Sequence, residues 1–234
     1  MTRLLASVTS INEAAIALAG GADIIDLKNP HDGALGALPL DTIRQIVDFV
    51  DGRVAVSATI GDLPMQPSLV ADRVKATAAT GVDIVKIGLF GSYGHIKCIE
   101  ELSSKAASGI SIIAVLFADE RPDFSLLQPL ARAGFLGAML DTSTKLSGRL
   151  VDQLDEPEMR DFVQKAKSLD LLTGLAGSLR AEDVIHLASL EPDYLGFRGA
   201  LCVDGQRTAS IDAAKLTNIA SLLREYNTRQ LLMV

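Results

Sequence analysis

Four charged side chains interrupt stretches of the chain that are otherwise apolar enough to form buried strands. Asp26 and Lys28 occur in ADIIDLKNP, Lys86 in VDIVKIGLFG and Asp141 in AMLDTSTK. Lysine is almost never fully buried unless a partner neutralises it. An amine held away from water beside a second cation loses its proton more readily, and the free amine can attack a carbonyl carbon to form a Schiff base. A second lysine or an aspartate would then move the protons that carbonyl chemistry requires.

The same four residues also have a purely structural explanation. Asp26 with Lys28, or Lys86 with Asp141, could form buried ion pairs that only fill the interior. Such pairs contribute little net stability compared with apolar packing. Two lysines and two aspartates in one interior therefore favour a reaction site.

The elements that would position these residues alternate regularly along the chain. Short β-rich runs are separated by segments with the periodicity of amphipathic helices. Ser10, Asp41 and Ser210 are suited to cap the first turns of helices. The predicted strands span residues 4–8, 23–28, 54–60, 84–89, 111–118, 137–142, 172–177 and 194–198.

Eight strand–helix units in 234 residues predict an α/β fold of the closed (β/α)8 TIM-barrel type. An open, doubly wound sheet is the alternative, because it is also built from alternating strands and helices. The count of eight favours the barrel, as does the lack of a GxGxxG turn after the first strand. No linker or low-complexity segment divides the chain, so residues 1–234 are predicted to form a single domain.

Side chains on a barrel strand alternate between the lumen and the surrounding helices. The apolar neighbours on the second, fourth and sixth strands therefore assign both lysines and both aspartates to the lumen. We expect these groups near the carboxyl ends of the strands, where barrel enzymes carry out their chemistry. The residues expected to contact a substrate there are Asp26, Ser7, Ser57 and Thr59.

Two glycine-rich segments follow the seventh and eighth strands, GLAGSL at 174–179 and GFRGALC at 196–202. Barrel loops at these places commonly bind phosphate through backbone N–H groups. Gly177, Ser178 and Gly199 are the predicted binding positions, and Arg198 would add a charge-assisted contact. A glycine-rich turn is weak evidence by itself, because tight turns also require glycine. With the lysines, these segments predict an enzyme acting on a small phosphorylated carbonyl compound.

The composition is that of a globular protein, with 48% hydrophobic and 22% charged residues. The formal charge of −7 argues against non-specific nucleic-acid binding, which requires a basic surface. No apolar run is long enough to span a membrane, and the first residues do not resemble a signal peptide. We therefore expect a cytoplasmic protein without nucleic-acid or membrane partners.

Cysteine and histidine give little support for a metal site. Cys98 and Cys202 form no CxxC pair, and the three histidines are far apart in the sequence. His95 and Cys98 could share a helix face, but two candidate ligands make a weak metal site. Neither a metal nor another cofactor is predicted.

Several of these motifs together resemble the family of (5-formylfuran-3-yl)methyl phosphate synthases, which serve the biosynthesis of methanofuran-type cofactors in one-carbon metabolism. DLKNP, VKIGLFG and LDTSTK make a specific combination. The resemblance extends from the first to the last predicted strand, over LLASVTSINEA, GGADIIDLKNPHDGALGA, VDIVKIGLFG, AMLDTSTK, GLAGSL and GFRGALC.

The resemblance implies a (β/α)8 lyase that needs no cofactor. It implies an aldol condensation of two molecules of glyceraldehyde 3-phosphate, with release of phosphate and water. By the same resemblance, Lys28 would form the Schiff base and Lys86 would accept a proton. Asp141 and Lys145 match further catalytic positions, either as proton shuttles or as ligands of the second phosphate.

Two other functions stay open at this point. A class I aldolase acting on another sugar phosphate would also form a Schiff base, but its product would be a reversible adduct and not a furan. A non-catalytic protein that binds phosphorylated metabolites would use the same pocket without turnover. Either protein, or the synthase, could form a homo-oligomer, because barrels often associate through their outer helices.

Overall fold

The computed structural model describes residues 1–91, 93–144 and 148–232. Its strands are β1 (Arg3–Val8), β2 (Ile24–Leu27), β3 (Ala55–Thr59), β4 (Ile84–Gly88), β5 (Ile112–Phe117), β6 (Gly137–Asp141), β7 (Leu172–Leu175) and β8 (Tyr194–Phe197). Its α-helices are α1 (Ile11–Gly20), α2 (Leu40–Val50), α3 (Pro67–Ala78), α4 (His95–Ala107), α5 (Leu127–Arg132), α6 (Leu150–Gln153), α7 (Glu156–Lys167), α8 (Val184–Ala188) and α9 (Ala213–Leu231).

The strands form a closed parallel barrel in chain order. Each strand pairs in parallel with the next, and β8 pairs with β1 to complete the circle. The predicted (β/α)8 barrel is confirmed, and every observed strand overlaps its predicted range. The extension of one domain over all of residues 1–234 stays a prediction.

The helix starts were harder to predict than the strands. Ser10 caps α1 as predicted. Asp41 does not cap α2, because that helix already begins at Leu40 and Asp41 falls within its first turn. The predicted cap Ser210 is also wrong, since Asp212 accepts hydrogen bonds from two backbone N–H groups of α9. These differences shift helix starts slightly and leave the barrel unchanged.

The apolar core has two parts separated by the barrel wall. The outer part lies between the strands and the helices and includes Ile25, Leu27, Val85 and Ile87. The inner part fills the apolar portion of the lumen. Its members on the strands are Leu5, Ile24, Ile113, Val115, Phe117, Met139 and Tyr194. The predicted alternation between lumen and helices is therefore confirmed.

The loop between β2 and α2 closes part of the lumen from above. Ala34 and Leu35 on this loop are fully buried members of the inner core. The Asp62 carboxylate holds them in place by accepting their backbone N–H groups at 2.8 and 2.7 Å. Phe90 and Phe117 stack beside them with ring centroids 4.4 Å apart. This apolar wall confines the polar lumen groups to one side of the barrel mouth.

Gly174 on β7 provides the space that the Tyr194 ring occupies in the lumen. A β-carbon at Gly174 would come within 2.4 Å of two ring atoms of Tyr194. We expect Gly174→Ala to lower the free energy of unfolding by about 1–3 kcal/mol, because overpacking a dense core forces neighbours out of place. Urea denaturation measures this change.

A double variant tests whether that contact is the cause. Tyr194→Leu should relieve the clash in the Gly174→Ala background. The double variant should then lose less unfolding free energy than the two single variants lose together. Simple additivity would show that the loss of stability has another origin.

Candidate active site

A buried ion pair between Asp26 and Lys86 lies at the centre of the polar side of the lumen. Lys86 Nζ donates to Asp26 Oδ1 at 2.9 Å, and the two side chains are 2% and 0% exposed. Ser57 Oγ donates to the same oxygen at 2.6 Å, and Ser7 Oγ donates to Oδ2 at 2.9 Å. Four predicted site residues from β1 to β4 thus form one hydrogen-bonded network.

The charge state of Asp26 follows from two opposing effects. Burial alone raises the pKa of Asp26, because a carboxylate loses hydration in the interior. The positive charges of Lys86 and Lys28, with hydrogen bonds from Lys86 and Ser57, outweigh burial and leave the pKa of Asp26 below its ordinary value of 3.8. Asp26 therefore provides a fixed negative charge near both lysines at neutral pH.

Lys28 follows directly after β2 and has a looser environment than Lys86. Its Nζ lies 3.6 Å from Asp141 Oδ2. This distance is short enough for an ion pair but longer than a normal hydrogen bond. Asp141 Oδ1 accepts the Thr142 N–H at 2.7 Å. The Lys28 side chain is 10% exposed, against 2% for Lys86. Lys28 is thus the lysine with the better access to a ligand.

The ion pairs suggested by the sequence are exchanged in the structure. Asp26 pairs with Lys86 instead of Lys28, and Lys28 pairs with Asp141. Residues two apart on one strand point the same way but stand in different layers of the lumen. Each layer is filled from alternate strands, so β2 and β4 bring Asp26 to Lys86, and β2 and β6 bring Lys28 to Asp141.

A cavity of about 820 Å³ opens above this network at the carboxyl ends of the strands. Its volume is in the range of small-molecule sites. Ser7, Asp26, Lys28, Lys86 and Asp141 line its lower part, and the loops after β7 and β8 line its upper part. The predicted lumen residues therefore do face one common space.

Ser57 and Thr59 lie below this cavity and are not among the described residues that line it. Both are fully buried. Thr59 Oγ1 donates to the Gly36 carbonyl oxygen at 3.0 Å and so supports the loop after β2. The structure shows these hydroxyls bonded to protein groups, and the substrate contacts predicted for them stay predictions.

The glycine-rich loops line the upper part of the cavity. Gly177 has a φ of 109°, and Ser178 follows with a φ of 51°. Among the described residues, no acceptor lies within hydrogen-bond distance of the N–H groups of 177–179. Gly199 begins a 3-10 turn, Gly199–Leu201, whose first N–H groups have no partner inside the turn. Free N–H groups of this kind can bind an anion, and the phosphate contacts predicted for Gly177, Ser178 and Gly199 stay predictions.

Arg198 lines the cavity, but protein groups already occupy its guanidinium. Nη1 and Nη2 donate to the two carboxylate oxygens of Glu13 at 2.6 and 3.2 Å. Other donors bond to the backbone carbonyls of Ser7, Arg207 and Ala209. These bonds connect α1 to the loop after β8. They indicate that Arg198 holds these two segments in place. Its predicted contact with substrate stays a prediction.

Two features of the site were not predicted from the sequence. Arg207, on the loop after β8, lines the cavity and donates through Nη2 to the Gly33 carbonyl oxygen at 2.6 Å. Arg149 also lines the cavity and contacts the carboxylate of Asp183 at 3.1 Å. Neither arginine lies in a patterned strand or a glycine-rich turn, so no sequence signal marked them.

Lys145 lies outside the described residues. Within the described parts of the chain, no three histidine, cysteine, aspartate or glutamate side chains are grouped as they would be around a metal ion. None of the helices there combines the length and the apolar character that crossing a membrane requires.

Comparison with known proteins identifies the family. The sequence profile of the 4-HFC-P synthase family matches residues 4–220. The chain belongs to this family, and it is therefore an enzyme. The family implies a phosphorylated sugar as substrate.

Relatives of this synthase span nearly the whole chain. It is 39% identical to the (5-formylfuran-3-yl)methyl phosphate synthase of Methanopyrus kandleri, over 88% of this chain and 91% of the relative. It is 41% identical to a protein of Methylorubrum extorquens that is provisionally named for the same activity, over 95% and 92% of the two chains. Synthesis of (5-formylfuran-3-yl)methyl phosphate is thus the activity for which its relatives are named.

Solved structures support the fold of the synthase at low sequence identity. The 3-hexulose-6-phosphate synthase of Salmonella typhimurium superposes with a TM-score of 0.69 at 16% identity, covering 96% of this chain and 100% of the other. Phosphoribosyl anthranilate isomerase of Thermus thermophilus gives 0.68 at 16% identity, covering 96% and 99%. These similarities show a shared barrel and nothing further.

Removing the charge of Asp26 should destabilise the synthase strongly. Asp26→Asn leaves the Lys86 ammonium buried without its partner, and we expect a loss of about 3–5 kcal/mol in the free energy of unfolding. Urea denaturation at neutral pH measures it. The matched control is Asp41→Asn, which breaks an exposed pair with Arg44 and should cost less than about 1 kcal/mol. Equal effects of the two substitutions would contradict the network.

The depressed pKa of Asp26 also predicts how stability depends on pH. A carboxylate whose pKa is lower in the folded than in the unfolded chain contributes stability above the unfolded value, and this contribution is lost as the pH falls through the folded value. The parent synthase should therefore lose stability more steeply than Asp26→Asn below a pH of about 4. Unfolding free energies measured across the acid range check this, and parallel curves would contradict it.

Proposed function

We propose that this enzyme condenses two molecules of glyceraldehyde 3-phosphate into (5-formylfuran-3-yl)methyl phosphate, in the cytoplasm and for the synthesis of a methanofuran-type cofactor. One phosphate and two water molecules leave, which balances the atoms. The observation that carries the proposal is the difference between the two lumen lysines. Lys86 is bound to Asp26 at 2.9 Å, whereas Lys28 is more loosely placed at the cavity floor.

The first step is the covalent attachment of one substrate to Lys28. The Lys28 amine attacks the aldehyde carbon of one triose phosphate, and loss of water gives an iminium ion. Asp141 lies 3.6 Å from the same nitrogen and is placed for proton transfer during this step. Asp141 would transfer protons, and Lys145 would either transfer protons or assist in binding the second phosphate.

The second step forms the new carbon–carbon bond. The Lys86 ammonium first gives its proton to the hydroxyl group that leaves as water when the iminium forms. The neutral Lys86 amine then removes a proton from the carbon next to the iminium, and Asp26 stabilises the ammonium group that forms again. The enamine then attacks the aldehyde carbon of the second triose phosphate. Loss of phosphate, ring closure and dehydration give the aromatic furan, and hydrolysis releases Lys28.

The glycine-rich loops are suited to hold one phosphate during these steps. Gly177, Ser178 and Gly199 line the cavity, and their backbone N–H groups would donate to the phosphate. Backbone donors of this kind bind phosphate without a side-chain charge. Their position also keeps the phosphate at a distance from the buried carboxylate of Asp26.

Borohydride trapping tests the role of Lys28. With glyceraldehyde 3-phosphate and borohydride, we expect a reduced adduct on Lys28, located by peptide mass spectrometry. Lys28→Arg keeps the positive charge but cannot form the adduct, and it should abolish formation of the ultraviolet-absorbing furan. An adduct on Lys86, with none on Lys28, would overturn the assignment.

Lys86→Met separates the two steps. This variant should still form the Lys28 adduct, because the first substrate binds and reacts at Lys28. Furan formation should fall by about 10²- to 10⁴-fold, the usual contribution of a general base. Loss of trapping together with furan formation, in a variant shown by circular dichroism to be folded, would contradict this division of roles.

Product analysis distinguishes the synthase from its rivals. A class I aldolase would give a reversible adduct from the same Schiff base, and a binding protein would bind the triose phosphate without turnover. The unsubstituted enzyme and glyceraldehyde 3-phosphate alone should give a furan. A folded enzyme that yields no furan would refute the proposed function.

A further inference from the structure

The proposed condensation places two phosphate groups in one cavity. Each carries up to about two negative charges at neutral pH. Like charges at close range repel each other strongly away from bulk water, so each phosphate requires its own positive or hydrogen-bonding partners. The loops after β7 and β8 provide one set of donors, and the second phosphate needs another.

Most of the described cations that line the cavity are already neutralised. Lys86, Arg198 and Arg149 contact carboxylates at 2.9, 2.6 and 3.1 Å. Lys28 is the amine that becomes bonded to substrate. Arg180 points largely into solvent, with a side chain 63% exposed, and lies 3.5 Å from Glu182.

Arg207 differs from these cations. It is half-buried at the cavity mouth, and no carboxylate of the described residues lies within ion-pair distance of it. Burial lowers the pKa of Arg207, while the more distant charges of Asp141 and Asp62 act in the opposite direction. A guanidinium that is partly desolvated and lacks a counter-ion is suited to receive an anion.

The loop after β2 sets the orientation of the Arg207 guanidinium. Its Nη2 donates to the carbonyl oxygens of Pro30 and Gly33. Pro30 lies two residues after Lys28, so these bonds hold the guanidinium at the rim of the cavity, on the side of Lys28. Nη1 and Nε make no hydrogen bond with described residues, so each keeps N–H donors for an anion.

We infer that Arg207 binds the phosphate group of the second triose phosphate, the one attacked by the enamine on Lys28. This inference rests on the proposed function. The first substrate is bonded to Lys28 at the cavity floor, so the second enters later and occupies the outer part, where Arg207 lies. Arg207 would thereby select a phosphorylated acceptor over an unphosphorylated aldehyde.

Acceptor selectivity tests this inference. Glyceraldehyde 3-phosphate is supplied for adduct formation, together with excess unphosphorylated glyceraldehyde as competing acceptor, and the furan and the mixed product are quantified. In Arg207→Gln the preference for the phosphorylated acceptor should fall about tenfold to hundredfold. Borohydride trapping on Lys28 should stay at the level of the parent enzyme. Arg44→Gln, which removes a positive charge from the exposed face of α2, should change neither readout.

Two results would overturn the inference. Unchanged selectivity in Arg207→Gln would show that another group holds the second phosphate. Equal loss of trapping and of furan formation would show that Arg207 serves the first substrate or only the local fold. Arg207→Lys keeps the charge without the planar fork and should give an intermediate selectivity.

A measurement without turnover separates this inference from the proposed function. Inorganic phosphate should raise the melting temperature of the parent enzyme, because it binds the folded chain. The rise should be smaller in Arg207→Gln and unchanged in Arg44→Gln. If the parent enzyme makes no furan, the proposed function fails, and this comparison still tests Arg207. Equal stabilisation of all three proteins by phosphate, or none, would refute Arg207 as a phosphate ligand.

Discussion

The ion pair between Asp26 and Lys86 is the interaction on which the site depends. Neither charge could be buried alone without a large loss of hydration free energy, so each requires the other. Ser7 and Ser57 satisfy the remaining acceptor sites of the carboxylate. Because these residues come from β1 to β4, the network forms only when the four strands are paired in their native register. The geometry of this network thus depends on the pairing of the strands through one carboxylate.

This constraint gives the two lysines different properties, although both lie in one lumen. Lys86 is fully buried and held at a fixed distance from Asp26, which suits a group that receives a proton at a defined position. Lys28 lies one layer higher, next to Asp141, and faces the open cavity. The apolar wall of Leu35 and Phe117 keeps other polar groups away from this side.

Much of the fold was predictable from local pattern. Alternation with period two placed Asp26, Lys28, Lys86 and Asp141 in the lumen, and the count of eight strand–helix units predicted the barrel. Which lysine pairs with which aspartate was not predictable, because strand stagger brings together residues from alternate strands. The helix starts near Asp41 and Ser210 were also mispredicted, since α2 begins without a side-chain cap and Asp212 takes the cap of α9.

The sequence by itself determined the class of fold, the inward direction of the charged residues and, through its motifs, the resemblance to one family of synthases. These properties depend on residues close together in the chain. The tertiary structure alone decided the pairing of charges, the cavity above them and the placing of Arg207 against the loop after β2. Each of these depends on the closed barrel, in which segments as distant as residues 30–33 and 207 meet because β8 pairs with β1 and β1 with β2.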